Sequence, residues 1–301
     1  MTRTVTVGLD GSAESRAAAE WAAREAELRG LPLKIVHVWE PVPDPMAQAP
    51  LLGPETHQHW TERIPREAAE GLRTRHPGVE VAGEQLSGHA GEVLVEASKT
   101  SALLVLGSRA LGGVGGLLVG SVSLSVVAHA ACPTVLVRAG EQAADEHEAD
   151  PAGIPSAATA FRPVVLGLDT DHPDETLIEF AFDAALRRAT SLRVVHAWFP
   201  PPYYAYGMPV KPPLQEALAL EQSRALAEVL SPWRQKYPDV RTVEESRYGS
   251  AAEDLVEASR EASLVVVGRR IRRAALGAHI GHVTHAVLHH STAPVAVVAH
   301  G

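Results

Sequence analysis

Two segments of the chain combine residue types that can hold an anion or a polar ligand. Asp10 follows a β-branched and apolar run at residues 4–9, and its carboxylate could accept a hydrogen bond from a base amine or a ribose hydroxyl. A glycine-rich stretch begins at Gly107 and runs on to Gly120 and Ser121. Glycines let backbone N–H groups approach an anion closely, and a helix that starts near Ser121 adds free N–H groups and a favourable dipole. Ser121 could cap this helix and also offer its hydroxyl to a phosphate. The stretch is therefore a candidate phosphate-binding loop, with a flexible loop and an ordinary helix cap as the alternative.

The elements that must position these residues alternate between strand and helix patterns. In the first half the patterns predict strands over 4–9, 33–38, 79–86, 103–106 and 133–137, and helices over 14–29, 54–76, 92–100 and 121–130. Pro65 predicts a break or cap within the second helix. Alternating βα units with short connections predict a parallel, doubly wound sheet. In such a sheet ligands bind outside the carboxyl ends of the strands, which is where Asp10 and Gly107 fall.

The second half of the chain repeats the first. The segment VGLD at 7–10 reappears as LGLD at 166–169, and VHVW at 36–39 reappears as VHAW at 195–198, both at an offset of 159 residues. Later matches keep an offset of 161 residues and pair Gly107 with Gly268 and Gly120 with Gly281. Two constant offsets in the same order predict a duplication, with one α/β domain over 1–140 and another over 161–301.

Charge and composition narrow the function. The chain has 301 residues and a net charge of −9, divided as −3 over 1–140, −5 over 141–160 and −1 over 161–301. Neither half has the basic excess that nucleic-acid binding needs. The acidic segment 141–160 is rich in Pro, Gly, Ser and Ala and lacks apolar periodicity, so it is predicted to be a flexible linker.

The same composition bears on the compartment. The first residues lack the apolar core of a signal peptide, and no apolar run approaches the ~20 residues of a membrane span, so we expect a cytoplasmic protein without membrane contact. The single cysteine, Cys132, cannot form an internal disulfide and is expected to be a buried thiol.

The loop spacing resembles a known motif. Gly107-x2-Ala110-x9-Gly120-Ser121 is similar to the Gly-x2-Gly-x9-Gly-Ser/Thr nucleotide loop of ATP-binding universal stress proteins. Asp10, the VHVW segment, the helix around Glu92 and the closing CPTVLV strand also fit, so the resemblance covers nearly all of both halves. It implies the adenine-nucleotide α-hydrolase-like fold, tandem domains, and ATP as ligand, alone or with Mg²⁺.

The resemblance also implies which residues bind. The backbones around Val38 and Leu106 would border adenine, while Gly107, Gly120, Ser121 and Val122 would hold ribose and phosphates. Ala110 replaces the middle glycine of the motif. If the backbone there needs a positive φ, the extra Cβ would cost roughly 1–2 kcal/mol and weaken binding without excluding it.

The second half departs further from this motif. It keeps Asp169, Gly268 and Gly281, but Ile271 occupies the middle glycine position and His282 replaces the serine. The loop at 269–273, RRIRR, suggests either an altered anion site built from arginine forks or a degenerate site with solvated arginines. We favour the degenerate site.

Two further groups have more than one interpretation. Four histidines fall at spacings of three, three and four along the last predicted helix: His279, His282, His285 and His289. They suggest a partly solvated, pH-sensitive surface more than a metal site, because no Cys or well-placed carboxylate joins them. The tyrosines at 203, 204 and 206 suggest ordinary loop packing, with stacking on a base or a partner surface as alternatives.

The leading hypothesis is a cytoplasmic ATP-binding stress-response protein that holds its nucleotide mainly in domain 1. The closing strands at 133–137 and 294–298 are expected to pair in an internal pseudo-dimer, and a homodimer is also compatible. One alternative is a slow ATPase or adenylating enzyme of related fold, although no P-loop and no nucleophile–base pair is found, and we assign no catalytic or metal-binding residue. The other alternative is a dimerisation scaffold without nucleotide.

Overall fold

The structure, a computed structural model, describes residues 3–40, 54–108, 120–200, 212–271 and 280–301. These residues form two compact units, the first up to residue 143 and the second from residue 144 onward. Among the helices in these ranges, none is long and apolar enough to cross a membrane.

Within its described residues, the first unit is a parallel five-stranded sheet with four helices. Its strands lie in the order β3-β2-β1-β4-β5. The strands are β1 (Thr4–Gly8), β2 (Leu33–Trp39), β3 (Val81–Ser87), β4 (Ser101–Ser108) and β5 (Thr134–Arg138). The helices are α1 (Ala13–Arg29), α2 (Pro54–Arg75), α3 (Ala90–Ser98) and α4 (Ser121–His129). The strand order reverses between β1 and β4, which makes this position the topological switch point of a doubly wound sheet. The predicted fold class is confirmed.

The core of the first unit lies where helix α1 packs against the sheet. Leu103 and Leu104 of β4 are fully buried, as expected for a strand covered on both faces. Helix α1 turns small residues such as Ala22 and Ala26 toward the sheet, and these are also fully buried. Small side chains let the backbone of α1 approach β4 closely.

Helix α2 differs from the prediction at Pro65. The sequence predicts a break there, but the helix runs without interruption from Pro54 to Arg75. Its backbone lies against β3 at Gly83, where a Cβ would be only 2.7 Å from the carbonyl oxygen of Pro65. Farther along, the guanidinium of Arg73 donates to the carbonyl of Val81 at 3.0 and 2.6 Å. Packing on β3 therefore outweighs the local cost of a proline inside the helix.

The second unit repeats this topology. Its strands lie in the order β10-β9-β6-β7-β8 and all four neighbouring pairs are parallel. The strands are β6 (Val164–Gly167), β7 (Leu192–Trp198), β8 (Thr242–Tyr248), β9 (Leu264–Arg270) and β10 (Val295–His300). The helices are α5 (Glu175–Arg187), α6 (Pro212–Lys236), α7 (Ala251–Ala258) and α8 (His282–His290).

Residues 141–160, predicted to be a flexible linker, contain local hydrogen-bonded structure. A short 3₁₀ turn spans Ala143–Glu146, and antiparallel bridges join His147 to Phe161 and Ala149 to Pro155. The carboxylate of Asp150 accepts the N–H groups of residues 152 and 154 and so closes the turn of this hairpin. Turn hydrogen bonds of this kind do not require apolar periodicity, which is why the sequence pattern does not show them.

Candidate functional site

A cavity of about 220 Å³ opens in the first unit at the carboxyl ends of β1 and β4. It therefore lies at the switch point, where ligands bind in sheets of this type. All seven residues predicted for the first domain line it: Asp10, Val38, Leu106, Gly107, Gly120, Ser121 and Val122. The structure thus brings together residues that are up to 112 positions apart in the chain.

The turn after β1 fixes the Asp10 carboxylate at the edge of the cavity. Its Oδ1 accepts the N–H of Ser12 at 2.9 Å, and the N–H of Asp10 donates to the hydroxyl of Ser15 at 3.3 Å. Between them Gly11 has a φ of +84°, a conformation that favours glycine. Partial burial raises the pKa of Asp10, but the hydrogen bonds from Ser12 and Ser15 outweigh burial and hold this pKa below its usual value. Asp10 is consequently an ionised acceptor at neutral pH.

Sequence reasoning did not assign the start of helix α1 to the site. Ser12, Glu14 and Ser15 all line the cavity. Ser12 is the N-cap residue: its hydroxyl accepts the N–H of Ser15 at 3.1 Å, and the Ser15 hydroxyl donates to the Ser12 carbonyl at 3.1 Å. A serine two residues after Asp10 and just before a helical pattern is a recognisable cap signal, and this signal could have identified the segment.

Gly107 is required by packing as well as by its place in the cavity. A Cβ at this position would lie 2.6 Å from the carbonyl carbon of Glu14 and 2.7 Å from the backbone nitrogen of Ser15. Glycine is therefore what allows the end of β4 to touch the beginning of α1. The carbonyl of Gly107 also accepts the hydroxyl of Ser123 at 3.2 Å, which ties β4 to helix α4.

Helix α4 begins one residue earlier than the predicted cap implies. Gly120 is the N-cap residue and Ser121 is the first residue of the helix, so the prediction that Ser121 caps the helix is wrong. Gly120 has an ordinary φ of −61°, and among the described atoms none lies within 4 Å of the position that its Cβ would take. The first turn of α4 thus borders the cavity. Residue 110 and the loop around it lie outside the described residues.

The corresponding part of the second unit already has its own charged partners. Asp169, the counterpart of Asp10, forms an ion pair with Arg270 at 3.1 Å and lies 3.4 Å from the ring of His172. Near Gly268, the position of a Cβ would be 2.6 Å from Nε2 of His300. Gly281 is the N-cap of α8, as Gly120 is of α4. The second unit keeps the same backbone arrangement, but side chains of its own lie close to Asp169 and Gly268.

Of the two arginines described at the end of β9, one is buried and the other, although exposed, forms an ion pair, while the preference for a degenerate site stays a prediction. Arg269 is buried, and burial lowers its pKa. Arg270 is bound to Asp169. Residues 272 and 273 lie outside the described residues.

The histidine stripe is partly described. The rings of His285 and His289 lie 4.3 Å apart. Burial and the neighbouring His289 and His290 lower the pKa of His285. Within the described ranges, no group of three or more His, Cys, Asp or Glu residues is arranged to hold a metal. His279 and the tyrosine-rich loop at 203–206 are outside the described residues.

The fold and the cavity define an α/β protein of the doubly wound class with a cavity at the switch point. The family model described as "Universal stress protein family" matches residues 1–138 and 160–299, and the chain belongs to this family, with two of its domains in tandem. A universal stress protein of Mycolicibacterium smegmatis is 34% identical over 301 residues, which is 98% of this chain and 96% of the relative. The crystal structure of a universal stress protein from Archaeoglobus fulgidus covers 99% of this chain and 98% of its own, with a TM-score of 0.68 and 15% identity.

Two shorter solved structures are complexes with nucleotides. One is a universal stress protein in complex with cAMP, and the other, from Archaeoglobus fulgidus, is in complex with dAMP. They cover 46% and 45% of this chain, with TM-scores of 0.36 and 0.34.

Proposed function

We propose that this chain is an ATP-binding stress-response protein whose nucleotide occupies the cavity of the first unit. The observation that carries this proposal is the meeting of Asp10 with the first turn of α4 around one cavity at the switch point. The position of the cavity is independent of the family motif that first suggested the ligand. In this proposal, nucleotide occupancy changes how the protein associates with itself or with a partner.

Each part of an adenine nucleotide has a matching surface. Val38, Leu94 and Leu106 offer an apolar wall for the base. The ionised carboxylate of Asp10 accepts hydrogen bonds from ribose hydroxyls or the base amine. The phosphates meet the N-terminus of α4, where backbone N–H groups and the helix dipole favour negative charge. Mg²⁺ prefers oxygen ligands, which Asp10, Glu14 and Ser121 supply, so the triphosphate can enter as its magnesium complex.

We propose that the second unit contributes much less to binding. Its aspartate, Asp169, forms an ion pair with Arg270, whereas the Asp10 carboxylate lies at the cavity of the first unit. A nucleotide in the second unit would have to displace both Arg270 and the ring of His300. Asp169, Gly268 and Gly281 therefore stay the weaker candidates for nucleotide contact.

Isothermal titration calorimetry of the full chain with MgATP tests both points. We expect Asp10→Asn to weaken binding by at least tenfold, because it removes a charged acceptor. The matched variant Asp169→Asn should leave the affinity within about twofold. Absence of binding to the unaltered protein, or equal losses in the two variants, would contradict the proposal. Mass spectrometry of small molecules released from the purified protein would show whether ATP or a monophosphate is carried.

We also propose that strands β5 and β10 pair with each other. Each is the outermost strand of its own unit, and each is almost entirely buried and apolar. An apolar outermost strand with unsatisfied backbone groups promotes association. Pairing within one chain would satisfy both strands at once.

A further inference from the structure

We propose that His37 is a positioning residue that sets the location of Asp10 without touching the nucleotide. This inference rests on the proposed function, because its effect is expressed as nucleotide affinity. It assigns a role to the histidine of the VHVW segment, which otherwise serves only as a mark of the repeat.

A short hydrogen bond connects His37 to the residue before Asp10. Nδ1 of the imidazole lies 2.7 Å from the carbonyl oxygen of Leu9, and the ring is buried. Because a carbonyl only accepts, Nδ1 must carry the proton and donate it. The N–H of Leu9 donates in turn to the carbonyl of Val36 at 2.9 Å. The backbone N–H and the backbone carbonyl of Leu9 are thus both hydrogen-bonded to β2.

This connection occurs where β1 leaves the sheet. The strand ends at Gly8, and the chain then turns through Asp10 and Gly11 into the cap of α1. A carbonyl that leaves a parallel ladder inside the protein needs a new donor. The imidazole of His37 supplies one, so the turn can begin at Leu9 and carry Asp10 to the cavity.

The effect of His37 on the ligand must pass through the backbone. Successive side chains of a strand point to opposite faces of the sheet. Val36 and Val38 line the cavity, and His37 between them does not. The imidazole therefore lies on the other face of β2 and influences binding only by holding Leu9.

The second unit contains the corresponding hydrogen bond between a histidine and a backbone carbonyl, and this bond supplies an internal control. Nδ1 of His196 lies 3.1 Å from the carbonyl oxygen of Leu168, directly before Asp169. Nε2 of the same ring also lies 3.0 Å from Oε1 of Gln222. Loss of His196 should therefore disturb the fold at least as much as loss of His37. It should not change nucleotide affinity, because the carboxylate of Asp169 is bound to Arg270.

The experiment compares three variants of the full chain by calorimetry with MgATP and by urea unfolding. We expect His37→Leu to weaken ATP binding about tenfold, which corresponds to about 1.4 kcal/mol. His37→Asn should retain affinity within about threefold, because its amide N–H can take the place of Nδ1. His196→Leu should lose stability and keep the affinity of the unaltered protein.

The outcomes separate the inference from the proposed function. The positioning role is wrong if His37→Leu binds ATP normally, if the asparagine fails to restore binding, or if His196→Leu weakens binding equally. If the unaltered protein binds no ATP, the proposed function fails, and hydrogen exchange of residues 9–13 then tests the tether alone. Faster exchange in His37→Leu than in His37→Asn supports it, and equal exchange rejects it.

If His37→Leu does not fold, His37→Gln replaces it in the comparison. The amide of glutamine lies one bond farther from the backbone, near the position of Nε2. We expect the glutamine variant to bind ATP more weakly than the asparagine variant. Equal binding by the two would overturn the requirement for a donor at the Nδ1 position.

Discussion

Replacement of Gly107 by alanine should destabilise the first unit far more than the same change at Gly268 destabilises the second. At Gly107 the new methyl group would meet backbone atoms of Glu14 and Ser15 at 2.6 to 2.8 Å, about 0.6 to 0.8 Å closer than an ordinary 3.4 Å contact. The backbone of a capped helix cannot rotate away, so α1 must shift relative to β4. Overpacking of this kind costs about 1–3 kcal/mol, and we expect about 2 kcal/mol.

The matched position shows why the neighbour decides the cost. At Gly268 the methyl group would meet the ring of His300 at 2.6 Å and a methyl of Leu177 at 3.1 Å. Both are ends of side chains, and His300 is the last residue of β10. These groups can move at modest cost, so we expect Gly268→Ala to lose less than about 1 kcal/mol.

Cys132 makes this difference measurable in the intact protein. It is the single cysteine of the chain, it lies in the first unit, and burial raises its pKa to about 12. The thiol should therefore react with Ellman's reagent only after the first unit opens. A urea series with thiol labelling should show earlier opening in Gly107→Ala and an unchanged curve in Gly268→Ala. Similar midpoints for Gly107→Ala and the unaltered protein would refute the packing argument.

Three more outcomes follow from the same geometry. Gly120→Val should abolish most ATP binding with little loss of stability, because its side chain would project into the part of the cavity proposed for the phosphates and meets no described atom within 4 Å. Calorimetry and thermal unfolding check this, and unchanged affinity would contradict the phosphate site. Val135→Pro in β5 removes a backbone donor from an apolar strand and should loosen both units together. Small-angle scattering of the unaltered chain is a separate check: two independently moving units would exclude the pairing of β5 with β10. Because the folded-state pKa of Asp10 is lowered, its stabilisation is complete above about pH 3.8 and is lost as the pH falls through the lower folded value. Asp10→Asn should therefore reduce the acid dependence of the unfolding free energy below pH 4, and an identical acid limb would argue against the turn described here.

The local pattern of apolar and polar residues was sufficient to predict the α/β architecture. Apolar runs such as 103–106 read as buried strands because a strand covered on both faces has no polar side to display. Strand ends could be located from the same runs, so Asp10 and Gly107 could be assigned to one edge of the sheet before their contacts were known. The repeat predicted that the second half has the same fold as the first, since two constant offsets preserve the order of the elements.

Contacts between distant residues were decided only by the tertiary structure. Pro65 continues a helix because β3 holds it, and the hairpin within 141–160 forms through turn hydrogen bonds that no periodicity reports. The sequence suggests that Gly107 is a ligand-binding glycine, but in the structure the atoms closest to the position of its Cβ belong to the backbone of α1. The ion pair between Asp169 and Arg270 joins residues 101 positions apart, and the bond from His37 to Leu9 spans 28. Sequence patterns record the periodicity of each element, whereas these contacts depend on how elements pack, and packing is a property of the folded chain alone.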